Sequence, residues 1–127
     1  MRNTAAIEHA DTLVQEEKWH ELRQLIGGWP EPEIADLLFE LPAAKRAILF
    51  RLLPHNTSSE VFAFLEPELQ NRLLEDLTVE ETRRLVTNLA PDDRIHFLED
   101  LPGEAVQKLL NLLPPEELWK TRQLLGY

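Results

Sequence analysis

Residues 37–54 of the chain read LLFELPAAKRAILFRLLP, and a cluster of apolar residues that ends in Leu-Pro occurs in it twice, twelve residues apart. The same step continues in both directions. We call the positions that lie twelve residues apart in this series the twelve-step column. All of them are apolar: Trp29, Leu41, Leu53, Leu65, Leu77, Leu89, Leu101, Leu113 and Leu125. Two further apolar columns stand four and three residues before it, beginning at Leu37 and Leu38. Because residues i, i+1 and i+4 share one face of an α-helix, each unit predicts one short amphipathic helix.

The prolines mark where these helices begin and end. All nine fall in the turns between units or in the turn that opens the series: Pro30, Pro32, Pro42, Pro54, Pro67, Pro91, Pro102, Pro114 and Pro115. Proline fits the start of a helix and prevents the preceding helix from running on. A helix of about nine residues is unstable alone, so the units must stack and bury a common core. We therefore predict an all-α solenoid, with the leucines of the twelve-step column buried.

The expected organisation is one domain of about nine helices. Residues 1–28 form an N-terminal helix, or a helix pair if the chain breaks at residues 16–18, and this segment caps the stack with the help of Trp19 and Trp29. Residues 29–127 form the helical-repeat superhelix. Capping-box spacing predicts helix starts in two places, at Thr57 with Glu60 and at Thr78 with Glu81.

Composition excludes several classes of function. The net charge of −10 disfavours binding to nucleic acid or to anionic membranes, and no apolar run is long enough to cross a bilayer. Four glycines leave no phosphate-binding loop, and neither the two serines nor the four histidines stand in a catalytic or metal-binding pattern. The absence of cysteine excludes a disulfide framework and fits a reducing compartment. We predict a cytoplasmic protein that is not an enzyme, has no catalytic residues and does not itself insert into the membrane.

Several motifs together resemble the cytoplasmic N domain of MgtE magnesium transporters, over roughly residues 13–127. The motifs are IADLLFELP from residue 34, ILFRLLP from 48, SEVFAFLEP from 59, LLEDL from 73, RLVTNLAPDD from 84 and LWKTRQLLGY from 118. The resemblance implies a right-handed superhelix that precedes a pair of CBS domains and a transmembrane magnesium channel. None of those later parts is present in this sequence, so it is interpreted as a fragment or a free-standing relative.

The resemblance also implies a function. In the family, Mg²⁺ between acidic residues of the N and CBS domains locks the cytoplasmic part together and closes the pore. By position along the repeats, the acids of this interface correspond to Glu60, Asp92 and Asp93. His96 stands where the family can have another acid. The expected ion is Mg²⁺, bound weakly at a domain interface and not needed for folding, and the expected partners are the CBS domains, with dimers only in the full-length protein.

The same residues have simpler interpretations, which stay open at this point. Glu60 fits the capping box of Thr57, and Asp92 and Asp93 fit the first turn of a helix, where the helix dipole favours acids. The other acids, such as Glu99, Asp100, Glu116 and Glu117, are interpreted as a solvated face. The alternative function is a free-standing solenoid adaptor that binds a protein partner, similar to the repeats of the flagellar motor switch protein.

Overall fold

The computed structural model describes residues 4–126. Residues 1–3 and Tyr127, the last residue of the closing motif, lie outside the described residues. The described chain contains ten α-helices and no strand. The helices are α1 (Thr4–Gln15), α2 (Trp19–Ile26), α3 (Glu31–Glu40), α4 (Ala43–Leu52), α5 (His55–Ala63), α6 (Pro67–Glu75), α7 (Val79–Asn88), α8 (Pro91–Glu99), α9 (Gly103–Leu110) and α10 (Pro115–Leu125). None of them is long and apolar enough to cross a membrane.

The twelve-residue repeat is confirmed by the helix starts. From α3 to α10 the first helical residues are 31, 43, 55, 67, 79, 91, 103 and 115, a constant step of twelve. Five prolines are the N-cap residues of their helices, and the other four occupy a first turn. The ring of proline holds φ near −60° at each of these starts, which is why the boundaries follow the prolines.

The break at residues 16–18 is also confirmed, and it explains why there are ten helices where an undivided N-terminal helix would give nine. Glu17 has a left-handed backbone conformation with φ at 57°. The N–H groups of Glu17 and Lys18 donate to the carbonyls of Val14 and Leu13, at 3.0 and 2.9 Å. This is the Schellman arrangement, which ends helix α1 and turns the chain into α2.

One of the two predicted capping boxes is present. Thr78 accepts from the N–H of Glu81 while the Glu81 carboxylate accepts from the N–H of Thr78. The box predicted at Thr57 with Glu60 is wrong, because α5 begins at His55, with Pro54 as its N-cap, and Thr57 lies inside the helix. The proline fixes the helix start three residues before the sequence pattern placed it. Glu60 is therefore not a capping residue.

The chain divides into two compact units, an N-terminal unit (Met1–Asp76) and a C-terminal unit (Leu77–Tyr127). In the N-terminal unit α1 packs on α2 and α3, α3 packs on α4 and α5, and α4 packs on α6. In the C-terminal unit α8 packs on α10. In both units a helix thus packs on the second helix along the chain.

Buried donors join the helices in pairs. Arg46, Gln70 and Arg94 stand at the same position of α4, α6 and α8, and all three are buried. Arg46 Nε, Gln70 Nε2 and Arg94 Nε each donate to the carbonyl eight residues earlier, in the preceding helix, at 2.9 Å. Each donor binds a carbonyl in the last turn of the preceding helix, where the regular i+4 N–H partners run out. The helices α3–α4, α5–α6 and α7–α8 are therefore closed pairs.

The apolar columns form most of the core, and two leucines of the twelve-step column are exceptions. The column that begins at Leu37 is buried from Leu37 to Leu109. Of the seven twelve-step leucines expected to be buried, Leu41, Leu53, Leu65, Leu89 and Leu113 are. The expectation is wrong for Leu77 and Leu101, which are half-buried. Both lie in turns between helices, after α6 and after α8, and more solvent reaches their side chains there than reaches the other five.

Candidate magnesium-binding turn

The first turn of α8 carries the acidic pair predicted from the sequence. Ala90 is the N-cap, Pro91 is the first helical residue, and Asp92 and Asp93 follow it. Both aspartates are exposed. Among the described residues, neither carboxylate has a hydrogen-bond or ion-pair partner. The N–H groups and the positive end of the helix dipole favour negative charge at this place. Two free carboxylates thus face solvent on one turn, and we call this segment, residues 91–93, the acidic turn.

The acidic turn contains two of the three predicted magnesium ligands. Glu60 is an exposed residue of α5, in the N-terminal unit, whereas the acidic turn belongs to the C-terminal unit. His96 is exposed one helical turn further along α8. Within residues 4–126 no group of three or more His, Cys, Asp or Glu side chains is placed to hold a metal ion. The chain therefore offers at most two carboxylates at the acidic turn, and Mg²⁺ prefers six oxygen ligands, several of which are waters.

Directly after the acidic pair comes the most buried charged residue of the described chain. Arg94 is 0% exposed, and its guanidinium faces the end of α7. In addition to the bond from Nε to Val86, Nη2 donates to the carbonyls of Thr87 and Leu89, at 2.9 and 3.0 Å. Burial lowers the pKa of Arg94, and the carboxylate of Glu117 opposes this shift. The guanidinium stays charged at neutral pH.

Arg94 also reaches α10. Its Nη1 donates to Oγ1 of Thr121 at 2.9 Å, and the Thr121 hydroxyl donates to the carbonyl of Glu117 at 2.7 Å. Thr121 is 0% exposed. A carboxylate oxygen of Glu117 lies 3.6 Å from Nη2 of Arg94, and the Glu117 side chain is 24% exposed. The interpretation of Glu117 as part of a solvated face is thus wrong, because this carboxylate stands beside a buried cation.

Sequence reasoning missed the contact between Arg94 and Thr121, although one signal of it was present. Thr121 occupies the column that otherwise reads Leu37, Leu49, Val61, Leu73, Leu85, Phe97 and Leu109. A hydroxyl in a column of buried apolar residues needs a hydrogen-bond partner. The partner is Arg94, 27 residues earlier. A polar residue that interrupts an apolar column therefore indicates a buried hydrogen bond of this kind.

A second surface feature lies at the start of the repeats, in the N-terminal unit. Trp29, which is 7% exposed, lines a cavity of about 210 Å³ together with Ile26, Ile34 and Leu53. Arg23, Glu31 and Thr57 contribute the polar part of its wall. Trp19 is half-buried beneath the ammonium of Lys45, whose Nζ lies 5.9 Å from the ring centroid. Both tryptophans thus have partners within the unit that carries them.

Fold and site together define a class of protein, a helical-repeat domain that presents acidic residues on a helical turn. Comparison with known families identifies the family to which the chain belongs. Residues 29–127 match the family described as the MgtE intracellular N domain, and the chain belongs to that family. The resemblance seen in the sequence is confirmed. The family consists of intracellular transporter domains and is not a class of enzymes.

Two solved structures show the same fold. The crystal structure of the soluble part of a magnesium transporter has a TM-score of 0.84 at 19% identity, over 97% of this chain and 49% of that one. The crystal structure of the cytosolic domain of the Mg²⁺ channel MgtE in complex with ATP has a TM-score of 0.80 at 26% identity, over 95% and 50%. The all-α helical-repeat fold is thereby confirmed. The chain spans about half the length of either structure, and no curated protein sequence matches it significantly.

Proposed function

We propose that the chain is the magnesium-sensing regulatory domain of an MgtE-type magnesium transporter. The observation that carries the proposal is the acidic turn of α8, where Asp92 and Asp93 are exposed and have no partner among the described residues. It occurs in a member of the family of MgtE intracellular N domains. Both structures that share the fold come from magnesium-transporting proteins, and each is about twice as long as this chain.

Magnesium chemistry suits a site that is divided between two surfaces. Mg²⁺ keeps several waters and takes one or two carboxylates from a protein surface. The acidic turn offers that number and no more, so its own affinity for Mg²⁺ is low. A second acidic surface, which we assign to the CBS domains of the same transporter, supplies the remaining ligands. Glu60, which belongs to the N-terminal unit, is proposed as a separate carboxylate that binds Mg²⁺ together with the CBS domains.

Charge explains why the ion acts as a switch. The chain has a net charge of −10, so an acidic partner surface is repelled in the absence of divalent cations. Mg²⁺ between the two surfaces replaces this repulsion by shared coordination. The cytoplasmic part then locks together and the pore closes, while at low Mg²⁺ the surfaces separate and transport proceeds. Association of two copies is a property of the full-length transporter in this scheme.

The experiment uses the joined protein, meaning this chain in one polypeptide with CBS domains. Limited proteolysis is followed across a Mg²⁺ titration, with K⁺ at equal ionic strength as the control for general screening. We expect protection by Mg²⁺ at millimolar concentration and none by K⁺. If general screening of charge were enough, K⁺ at the same ionic strength would protect as well. No protection by Mg²⁺ at any concentration would remove the proposal and favour the solenoid adaptor.

A further inference from the structure

The guanidinium of Arg94 lies between three helices of the C-terminal unit. It binds carbonyls of α7, belongs to α8 and donates to the Thr121 hydroxyl of α10, all at 2.9–3.0 Å. Arg94 follows Asp93 directly in the sequence. The backbone of the acidic turn therefore cannot move away from α7 or α10 without breaking hydrogen bonds to a buried cation, which are costly to leave unmade.

In the described part of the chain Arg46, the equivalent arginine of the N-terminal unit, has no counterpart of the hydrogen bond that Arg94 makes with Thr121. Arg46 stands four repeats earlier and makes the same bonds through Nε and Nη2, to Leu38 and Leu41. The residue that corresponds to Thr121 at that place is Leu73, which cannot accept a hydrogen bond. Ala44 and Lys45 precede Arg46, where Asp92 and Asp93 precede Arg94. The hydroxyl in the apolar column thus occurs together with the acidic turn, and both are lacking at Arg46.

We propose that Arg94, through its bond to Thr121, is a positioning residue that holds the acidic turn in a fixed place relative to α10. This inference rests on the proposed function, because the turn is taken to be half of a magnesium site. The carboxylates of a divided site need to be held in position before the ion binds. If binding must first order them, the lost conformational entropy lowers the affinity of the site for Mg²⁺. Binding of Mg²⁺ at the acidic turn and the position of α10 are then coupled in both directions.

The test replaces Thr121 by valine in the joined protein. Thr121→Val keeps the shape of the side chain and removes only the hydroxyl that accepts from Arg94. We expect the midpoint of Mg²⁺-dependent protection to rise roughly fivefold or more, the lower end of typical couplings between sites. The matched control is Thr82→Val, on α7, because the Thr82 side chain makes no hydrogen bond among the described residues and Arg94 does not bind its carbonyl. This control should titrate like the wild type.

Lysine substitutions separate positioning from stability. Arg94→Lys and Arg46→Lys each lose the planar fork of donors, so both should lower the melting temperature. Only Arg94→Lys should also raise the Mg²⁺ midpoint, whereas Arg46→Lys should leave it unchanged. If Thr121→Val folds poorly, the comparison of Arg94→Lys with Arg46→Lys still tests the proposal.

The outcomes distinguish this inference from the function on which it rests. A Thr121→Val protein that is protected at the wild-type Mg²⁺ concentration would overturn the positioning role and leave the magnesium-sensing function intact. Equal midpoint shifts for Arg94→Lys and Arg46→Lys would overturn it as well, because they would show a general effect of lost stability. A wild-type protein that Mg²⁺ does not protect would remove both.

Discussion

Arg46 and Arg94 lie forty-eight residues apart and make the same two hydrogen bonds. In each, Nε donates to the carbonyl eight residues earlier, at 2.9 Å, and Nη2 donates to the carbonyl five residues earlier, at 2.8 and 3.0 Å. Gln70, midway between them, makes the first of these bonds. The apolar residues repeat every twelve positions, but these donors repeat every twenty-four. Two helices, closed by one buried donor, are thus the structural repeat.

The difference in burial predicts unequal costs of truncation for two leucines of the same column. Leu89 follows α7 and is 3% exposed, whereas Leu77 follows α6 and is half-buried. Leu89→Ala should lower the free energy of unfolding by about 2–5 kcal/mol, the range for a packed leucine. Leu77→Ala should cost less than about 2 kcal/mol, because less apolar surface leaves the core. Urea denaturation of both variants measures this, and equal costs would contradict the difference in burial between the two residues.

The capping boxes provide a second matched pair. Thr78→Ala removes the acceptor of the Glu81 N–H and should cost about 1 kcal/mol of stability. Thr57→Ala, inside α5, should change stability by less than about 0.5 kcal/mol. Thermal unfolding of the two variants decides the matter. A loss at Thr57 as large as that at Thr78 would mean that α5 begins later than the structure places it.

Glu17 gives a test of the turn between α1 and α2. Its left-handed φ of 57° is costly for any residue with a side chain and free of that cost for glycine. Glu17→Gly and Glu17→Ala both lose the 2.9 Å ion pair with Lys45, so their difference isolates the backbone. We expect the glycine variant to be about 1 kcal/mol more stable than the alanine variant in chemical denaturation. An alanine variant of equal or greater stability would show that this turn is not left-handed in solution.

The chain should fold without divalent cations. The apolar columns supply the core, and no described cluster of side chains is placed to hold a metal ion. EDTA should therefore leave the helical circular-dichroism signal and the melting temperature nearly unchanged. A structural metal behaves differently, because its binding free energy is part of the folding free energy. A large loss of helix in EDTA would reveal a metal site that contributes to the fold.

Much of the fold was predictable because the deciding features are local. The prolines at twelve-residue intervals set the helix starts, and the column that begins at Leu37 is buried throughout, as expected. The burial of Leu77 and Leu101 was predicted wrongly because it depends on the contact between successive helices. The donors that join successive helices, such as Arg46, stand in a column that also contains isoleucine, serine, threonine, valine and leucine, so they show no pattern in the sequence.

The site was predictable only in part for the same reason. Asp92 and Asp93 are exposed on a first turn, as their position after Pro91 indicated. Their neighbour Arg94 has a charge that ordinarily places a residue at the surface, yet it is fully buried. Only the three-dimensional packing of α8 on α10 brings it to Thr121. The assignment of Asp92, Asp93 and Glu60 to a magnesium site stays a prediction.

The most direct measurement of that assignment is the Mg²⁺ midpoint of protection from proteolysis for two neutralised variants of the joined protein. Asp92→Asn removes one carboxylate charge from the acidic turn, and Glu104→Gln removes one from the first turn of α9. Both variants change the net charge equally, so general attraction for cations falls by the same amount. The loss of one exposed carboxylate ligand should cost about 1 kcal/mol of Mg²⁺ binding free energy, a factor of roughly 5 in the midpoint.

We expect Asp92→Asn to shift the midpoint to higher Mg²⁺ by that factor, with Glu104→Gln close to wild type. Asp93→Asn should act in the same direction as Asp92→Asn, since both carboxylates lie on the acidic turn. Equal midpoints for the wild type, Asp92→Asn and Asp93→Asn would contradict the account, because the acidic turn would then not be where the chain senses magnesium.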